Sequence, residues 1–385
     1  MFVINTYNHI GQAGLAMYDK DKYQITDKLD RADAIMVHSA PLHDVTFPET
    51  LKAIVRVGAG VNTIPVSRCT EEGICVFNTP GGNANAVKEL ALAAMIMMTR
   101  NVPAASAWVK SLKTPEPTKE VEQGKEVFRG PEIMGKKIGV IGVGAIGSRM
   151  AKVCSDMGMD VLGYDPYLTH ARKKELRAFV QMVDNVEEIY RTCDYITVHV
   201  PLNEQNRNLI SRKEIDQMKD GVYLVNYARG PIINNEDVVE ALKSGKIKAM
   251  ATDFPTSEQL QLDNVVATPH LGAGTPEADE NCAVMAARQI MDYLENGNIT
   301  NSVNLPDVSF PRTDGSRITI IHQNRPGMLG AITETVSNQG INIENLVNRS
   351  RGNVAYTMLD FIGEVPSELP DLLAAREGIM RVRLL

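Results

Sequence analysis

The chain reads as an α/β protein with two doubly wound parallel-sheet domains and a C-terminal βαββαβ unit. Three observations predict this. Short apolar runs alternate with helical patterns across residues 1–300, as strands and crossover helices do in parallel sheets. The later runs are apolar nearly throughout, which is expected of strands covered by helices on both faces. From Ser316 onward the order becomes strand, helix, strand, strand, helix, strand. In the first block the predicted strands are 2–5, 34–37, 53–57 and 74–77. In the second they are 137–141, 160–164, 195–198, 222–226, 249–252 and 265–267. A long apolar helix is predicted over 84–98. The polar segment 111–129 follows it, with Pro115 and Pro117, and reads as an excursion between domains. A helix over 276–296 leads into NGNITNSVNLPDVSF, whose Asn, Pro and Ser content reads as a linker. The expected division is 1–95 with 275–300, then 96–274, a linker over 301–315, and the unit 316–385.

With 385 residues the chain is too long for one ordinary core. No apolar run reaches the ~20 residues that span a bilayer, and MFVINTYNHIGQ lacks a basic n-region, so a first strand is expected there instead of a signal peptide. A net charge of -7 without long charge runs argues against nucleic acid as a partner and for a cytoplasmic protein. Five cysteines are scattered without CxxC or His-rich spacing, so neither a disulfide framework nor a metal site is expected.

The most informative stretch is IGVIGVGAIGSRMAKVCSDMGMDVLGYD, residues 138–165. A strand runs into Gly142-Val143-Gly144-Ala145-Ile146-Gly147, a helix follows, and a second strand ends on Asp165. Gly142 permits the tight turn, Gly144 lets the backbone approach a pyrophosphate, and Gly147 allows close helix–strand packing. The helix N-terminus offers its N–H groups to phosphate. Asp165, about 20 residues on, can accept from ribose hydroxyls and would repel a 2′-phosphate, so NAD is expected rather than NADP. In such sheets ligands bind at the carboxyl ends of strands. Arg229 follows one predicted strand, Asp253 and Glu258 another, and His270 a third. Their types suit hydride transfer at a carbon bearing oxygen. An imidazole moves the proton, a carboxylate orients it, and a guanidinium fork anchors an α-keto acid.

With these residues the chain resembles the D-isomer-specific 2-hydroxyacid dehydrogenases over nearly its whole length. The matching segments are Arg56-Val57-Gly58-Ala59-Gly60-Val61, Asn78-Thr79-Pro80-Gly81, Glu89-Leu90-Ala91, the GVGAIG loop with Tyr164-Asp165-Pro166, His199-Val200-Pro201-Leu202, Asn226-Tyr227-Ala228-Arg229-Gly230 and Pro269-His270-Leu271-Gly272-Ala273. The resemblance implies a flavodoxin-like substrate domain and a Rossmann NAD domain, with Arg229, Glu258 and His270 as the catalytic trio. It also implies cofactor contacts from Thr79, Gly142, Gly144, Ala145, Ile146, Gly147, Asp165, His199, Val200, Pro201 and Ala228, and from Asp253 at the nicotinamide carboxamide. Substrate contacts are expected from His38, Arg56, Val57, Gly58, Asn83 and Lys88. The C-terminal unit is similar to an ACT domain, on His322-Gln323-Asn324-Arg325-Pro326-Gly327 and Gly340-Ile341-Asn342-Ile343. That likeness implies L-serine as an effector held by His322, Asn324 and Asn342, and a homo-oligomer, dimer or tetramer.

Within the family the chain resembles most narrowly the branch that oxidises 3-phospho-D-glycerate, and that reaction is what the resemblance implies. Three positions depart from the usual pattern: His38 stands where relatives often have Arg, Asn62 replaces Asp, and Gly274 replaces Ser. Glu258 is assigned by its five-residue spacing from Asp253, with Asp263 as the alternative. The substrate therefore stays open between 3-phosphoglycerate and another 2-hydroxy acid such as 2-hydroxyglutarate or glycerate. A NAD-sensing corepressor-like protein is the alternative of a different class.

Overall fold

The computed structural model describes residues 1–385. The chain forms two compact units, Met1–Asn83 with Pro276–Leu385, and Ala84–Thr275. In the first unit β1 (Phe2–Tyr7), β2 (Tyr23–Thr26), β3 (Ala34–Val37), β4 (Ala53–Arg56) and β5 (Cys75–Phe77) form a parallel sheet in the order β2-β1-β3-β4-β5. That is the flavodoxin-like order. In the second unit β6 (Lys137–Ile141), β7 (Asp160–Tyr164), β8 (Gln181–Met182), β9 (Tyr195–Val198), β10 (Val222–Asn226), β11 (Ile247–Thr252) and β12 (Val265–Ala267) give the order β12-β11-β10-β9-β6-β7-β8. This is the Rossmann order, reversing direction between β6 and β9, with one further strand at the β12 edge. Along β10 the side chains alternate between two cores: Tyr223 and Val225 enter one, Leu224 the other. Two buried faces require an apolar residue at nearly every position, which is why this strand lacks a polar alternation.

The helix Ala84–Thr99 belongs to the second unit, so the boundary falls at 83/84 instead of 95/96. Val87, Ala91, Ala94, Met95 and Met98 recur at helical spacing and bury into the same core as Val140 and Val225. The segment expected as an excursion, 111–129, carries the helix Pro117–Gly124 and a 3-10 turn, with no buried residue in either. No single helix is long and apolar enough to cross a membrane.

The C-terminal unit holds β13 (Arg317–Gln323), β14 (Ile343–Arg351), β15 (Val354–Phe361) and β16 (Ile379–Leu384), in the antiparallel order β14-β15-β13-β16 of a ferredoxin-like βαββαβ fold. One face of this sheet (Ile318, Ile320, Leu359, Phe361) packs on its own helices through Ile332 and Leu373. The other face (Ile321, Tyr356, Met358) shares a core with Ile4, Ile290, Tyr293 and Leu294. The unit is thus fused to the first sheet's domain instead of standing on a separate linker.

Arginines reinforce this junction. The last four residues of the helix Pro276–Asn296 have carbonyls that helix geometry leaves with few partners. Arg383 donates to Tyr293 O and Leu294 O (3.1 and 2.9 Å), Arg312 to Glu295 O (3.3 Å) and Arg317 to Asn296 O (2.9 Å). Cations at this end also complement the helix dipole. The expected linker 301–315 is likewise packed down. Val303 N donates to Val76 O (2.8 Å), while Asn304 accepts from Val76 N (2.8 Å) and donates to Ile74 O (2.9 Å). The Asn and Ser residues that suggest a tether instead satisfy the backbone at β5.

Candidate active site

The glycine turn after β6 lies at the topological switch point of the Rossmann sheet. Gly142 has φ +88, and a Cβ there would lie 2.7 Å from His199 O. A Cβ on Gly147 would come within 1.9 Å of Gly142 O, so only glycine lets the helix Ala145–Asp156 pack this closely. A Cβ on Gly144 would meet nothing within 4 Å. Open space therefore faces the start of that helix, where the N–H groups of Ala145, Ile146 and Gly147 lack intrahelical acceptors. Asp165 braces the turn, accepting from Val143 N and Tyr167 N at 3.0 Å each, and keeps acceptor capacity for hydroxyls.

His199 follows β9 beside this turn. Its Nε2 pairs with Thr197 Oγ1 at 2.9 Å, and its Nδ1 is buried without a partner. Burial lowers its pKa from 6.5 to about 4. The unfolded chain then binds more protons than the folded one between those values, so stability falls as pH drops from about 6.5 toward about 4. We expect His199→Gln to flatten that acid limb in denaturant unfolding measured at several pH values. An unchanged limb would contradict the assignment of His199 as a buried neutral imidazole.

At the ends of β10, β11 and β12 the chain gathers Arg229, Asp253, Phe254 and His270. Buried Asn226 ties the first turn: its side chain accepts from Ala228 N (3.2 Å) and donates to Arg229 O (3.0 Å). The Arg229 guanidinium donates to Ala228 O (2.7 Å) and lies 5.8 Å from the Phe254 ring centroid. The His270 ring packs on the same Phe254 ring, with centroids 4.7 Å apart and planes at 52°. His270 holds φ +53, a left-handed conformation uncommon for a non-glycine residue. Asp253 imposes it. Its buried carboxylate accepts from Thr268 Oγ1 (2.5 Å), Leu271 N (2.7 Å) and Gly272 N (2.7 Å), and its carbonyl accepts from His270 N (3.0 Å).

Asp253 gives three of its acceptor positions to the His270 loop. One expectation changes here. Glu258 does not orient His270: it is exposed, accepts from Asn235 Nδ2 at 3.2 Å, and no hydrogen bond joins it to the imidazole. Its own backbone N–H first, then Thr256 and Asn235, hold its carboxyl below the usual range. The 3-10 turn Gln259–Gln261, stitched by Thr256, Asn235 and Gln259, keeps it engaged there. Asp263 is exposed and makes no bond to His270 either. Phe254, Asn235 and Thr268 were not singled out from sequence. The only available signal was their place directly after a strand or beside its loop.

In the first unit, Arg56 ends β4 and its Nη1 donates to Val57 O (3.0 Å). Gly58 has φ +143, and a Cβ there would sit 1.1 Å from that same Nη1, so glycine is required for Arg56 to fold over the loop. His38 follows β3, 3.6 Å from Asp279. Burial, then Arg56, lowers its pKa, with Asp279 opposing. Thr79 is buried, its N–H donating to Gly58 O (2.9 Å), and Asn83 is half-buried. Lys88, in the second unit, pairs with Glu89 at 3.4 Å. Val200 lines the Gly142 turn, and Pro201 O accepts from Asn206 (2.9 Å).

In the C-terminal unit His322 is 2% exposed, and both ring nitrogens are engaged, with Gln323 O (2.9 Å) and Thr357 Oγ1 (2.8 Å). Its strand position turns it toward the helix face with Ile318 and Ile320. Asn324 and Asn342 are exposed, and Asn324 donates to Gly352 O (2.9 Å).

The switch-point glycine turn, its acidic brace and the strand-end groups define an α/β domain built for a dinucleotide. The model of the D-isomer specific 2-hydroxyacid dehydrogenase, NAD binding domain, matches residues 92–272. D-3-phosphoglycerate dehydrogenase of Haemophilus influenzae is 31% identical over 402 residues, covering 99% of this chain and 94% of that protein. The enzyme of the same name from Methanocaldococcus jannaschii is 35% identical over 361 residues and 91% of this chain, which spans 64% of that protein's length. The solved structure of NAD+-bound 3-phosphoglycerate dehydrogenase from Entamoeba histolytica superposes with a TM-score of 0.64 at 26% identity, covering 79% of this chain and 98% of that one. The chain belongs to the D-isomer-specific 2-hydroxyacid dehydrogenase family. Its cofactor is NAD, and the open space at Gly144, the acceptor capacity of Asp165 and the unpartnered His199 Nδ1 all fit that group.

Proposed function

We propose that this chain oxidises 3-phospho-D-glycerate to 3-phosphohydroxypyruvate, the first step of L-serine biosynthesis, in an NAD-dependent reaction. The observation that carries the reading is the convergence of Arg229 and His270 on one aromatic ring at neighbouring strand ends of the NAD-binding unit. The names of the relatives support the substrate. When bound, NAD supplies the hydride acceptor. His270 takes the proton of the substrate hydroxyl and returns it in the reverse direction. Arg229 holds the carboxylate through its planar fork and polarises the forming carbonyl.

A second reading, a dehydrogenase of an unphosphorylated 2-hydroxy acid such as glycerate or 2-hydroxyglutarate, is favoured by one observation. His38, at the position where relatives often carry arginine, is paired with Asp279 and held below its ordinary pKa, so it offers phosphate little charge. NADH formation measured across these three acids decides between the readings. We expect kcat/KM for 3-phosphoglycerate to exceed the others by at least about tenfold, and a preference for glycerate would reverse the assignment. The same assay with L-serine tests feedback through the C-terminal unit, with Asn324 and Asn342 as the remaining exposed candidates. Light scattering tests the proposed homo-oligomer.

A further inference from the structure

We propose that Phe254 is a positioning residue that sets the orientation of both Arg229 and His270; the proposal rests on the reading of His270 as the proton-transfer group. His270 is exposed at the end of its loop, and neither ring nitrogen has a hydrogen-bond partner. Asp253 fixes the backbone of that loop but does not touch the imidazole. Glu258, the acidic residue expected to orient the ring, is engaged with Asn235 instead. The imidazole instead packs on Phe254, at 4.7 Å between centroids. The same phenyl ring faces the Arg229 guanidinium at 5.8 Å, within cation–π range. A single aromatic side chain thus walls both groups.

Phe254 is itself well fixed. Its N–H donates to Thr252 Oγ1 at 3.1 Å, and Thr252 is fully buried in β11. Pro255 follows and restricts the Phe254 backbone to extended conformations. On the other side, a Cβ on Gly230 would lie 3.3 Å from Phe254 Cβ, so the turn after Arg229 closes directly on this residue. A ring held from both sides can limit the rotamers of a long arginine and an exposed histidine, which would otherwise lose orientation to solvent.

The test compares wild type, Phe254→Leu and Phe254→Tyr. In the protein without cofactor, the His270 ring-proton resonances, identified by their loss in His270→Gln, lie in the ring current of Phe254. They should move toward unstructured-peptide positions in Phe254→Leu and stay near wild type in Phe254→Tyr. With the 2-hydroxy acid that wild type turns over best, kcat should fall about tenfold in Phe254→Leu, with KM for NAD within about twofold, and Phe254→Tyr should recover most of the loss. Unchanged resonances and kcat in Phe254→Leu would overturn the proposal, as would a rise in KM for NAD at constant kcat. Phe254→Met replaces the leucine variant if that one fails to bind NADH. Absence of turnover in wild type would refute the dehydrogenase reading instead, while the resonance comparison would still report whether the ring orients His270.

Discussion

Replacing His270 by alanine lowers kcat by about 10²–10⁴-fold, the range associated with loss of a positioned acid–base group, while the dissociation constant for NADH changes by less than about threefold. The expectation follows from how the residue is held. The backbone of its loop is fixed by Asp253 through Leu271 N, Gly272 N and the Thr268 hydroxyl, none of which involves the imidazole. Removing the ring therefore removes the proton acceptor without releasing the loop. Alanine at φ +53 carries backbone strain, so His270→Asn is the companion variant, because asparagine tolerates the left-handed region. Both should lose turnover and keep cofactor binding, measured by steady-state kinetics and NADH fluorescence. Turnover within about tenfold of wild type in either would remove His270 from the reaction.

Arg317→Ala should destabilise the chain by about 3–5 kcal/mol, the usual consequence of stripping one partner from a buried ion pair. Arg317 is 0% exposed and Asp360 2%. The guanidinium uses all five of its donors: two to the Asp360 carboxylate (2.6 and 2.8 Å) and one each to Asn296 O, Phe310 O and Pro311 O. Truncation leaves a buried carboxylate and three carbonyls without donors, including one at the end of the helix Pro276–Asn296. Lysine cannot reproduce the fork. Replacing both members by Met and Leu should restore much of the loss, since the penalty lies in the orphaned charge. Denaturant unfolding checks both variants, and a shift below about 1 kcal/mol for Arg317→Ala would show that the pair is not what secures the C-terminal sheet.

Much of this architecture was legible in the residues because parallel sheets write their own pattern. Strands buried on both faces, such as β9 and β10, stand out as nearly continuous apolar runs, and a glycine turn between a strand and a helix marks the switch point. Once the strands are placed, their carboxyl ends follow, and Arg229 and His270 were readable for that reason. The edge strands β2 and β8 were missed. Two of the four residues of β2 are exposed and β8 is two residues long, so neither leaves an apolar run.

Other misses concern partners rather than local conformation. The helical spacing of Val87, Ala91, Ala94 and Met98 announces a buried face but not the sheet that buries it, so the domain boundary was placed near the end of that helix instead of before it. Ser302 and Asn304 have the composition of a tether, yet their side chains bond the β5 backbone, a pairing across more than 220 positions that no local pattern encodes. Glu258 was assigned by counting from Asp253, and a count does not specify a loop's path.

The account depends most on direct hydride transfer between a 2-hydroxy acid and NAD at the end of this sheet. The decisive measurement uses 3-phospho-D-glycerate carrying deuterium at C2, incubated with the purified chain and NAD, with the NADH product analysed by mass spectrometry and proton NMR. The account predicts deuterium at C4 of the nicotinamide in wild type, formed about 10²–10⁴-fold more slowly by His270→Ala. NADH that carries no deuterium, or labelled NADH produced equally well by His270→Ala, would contradict it.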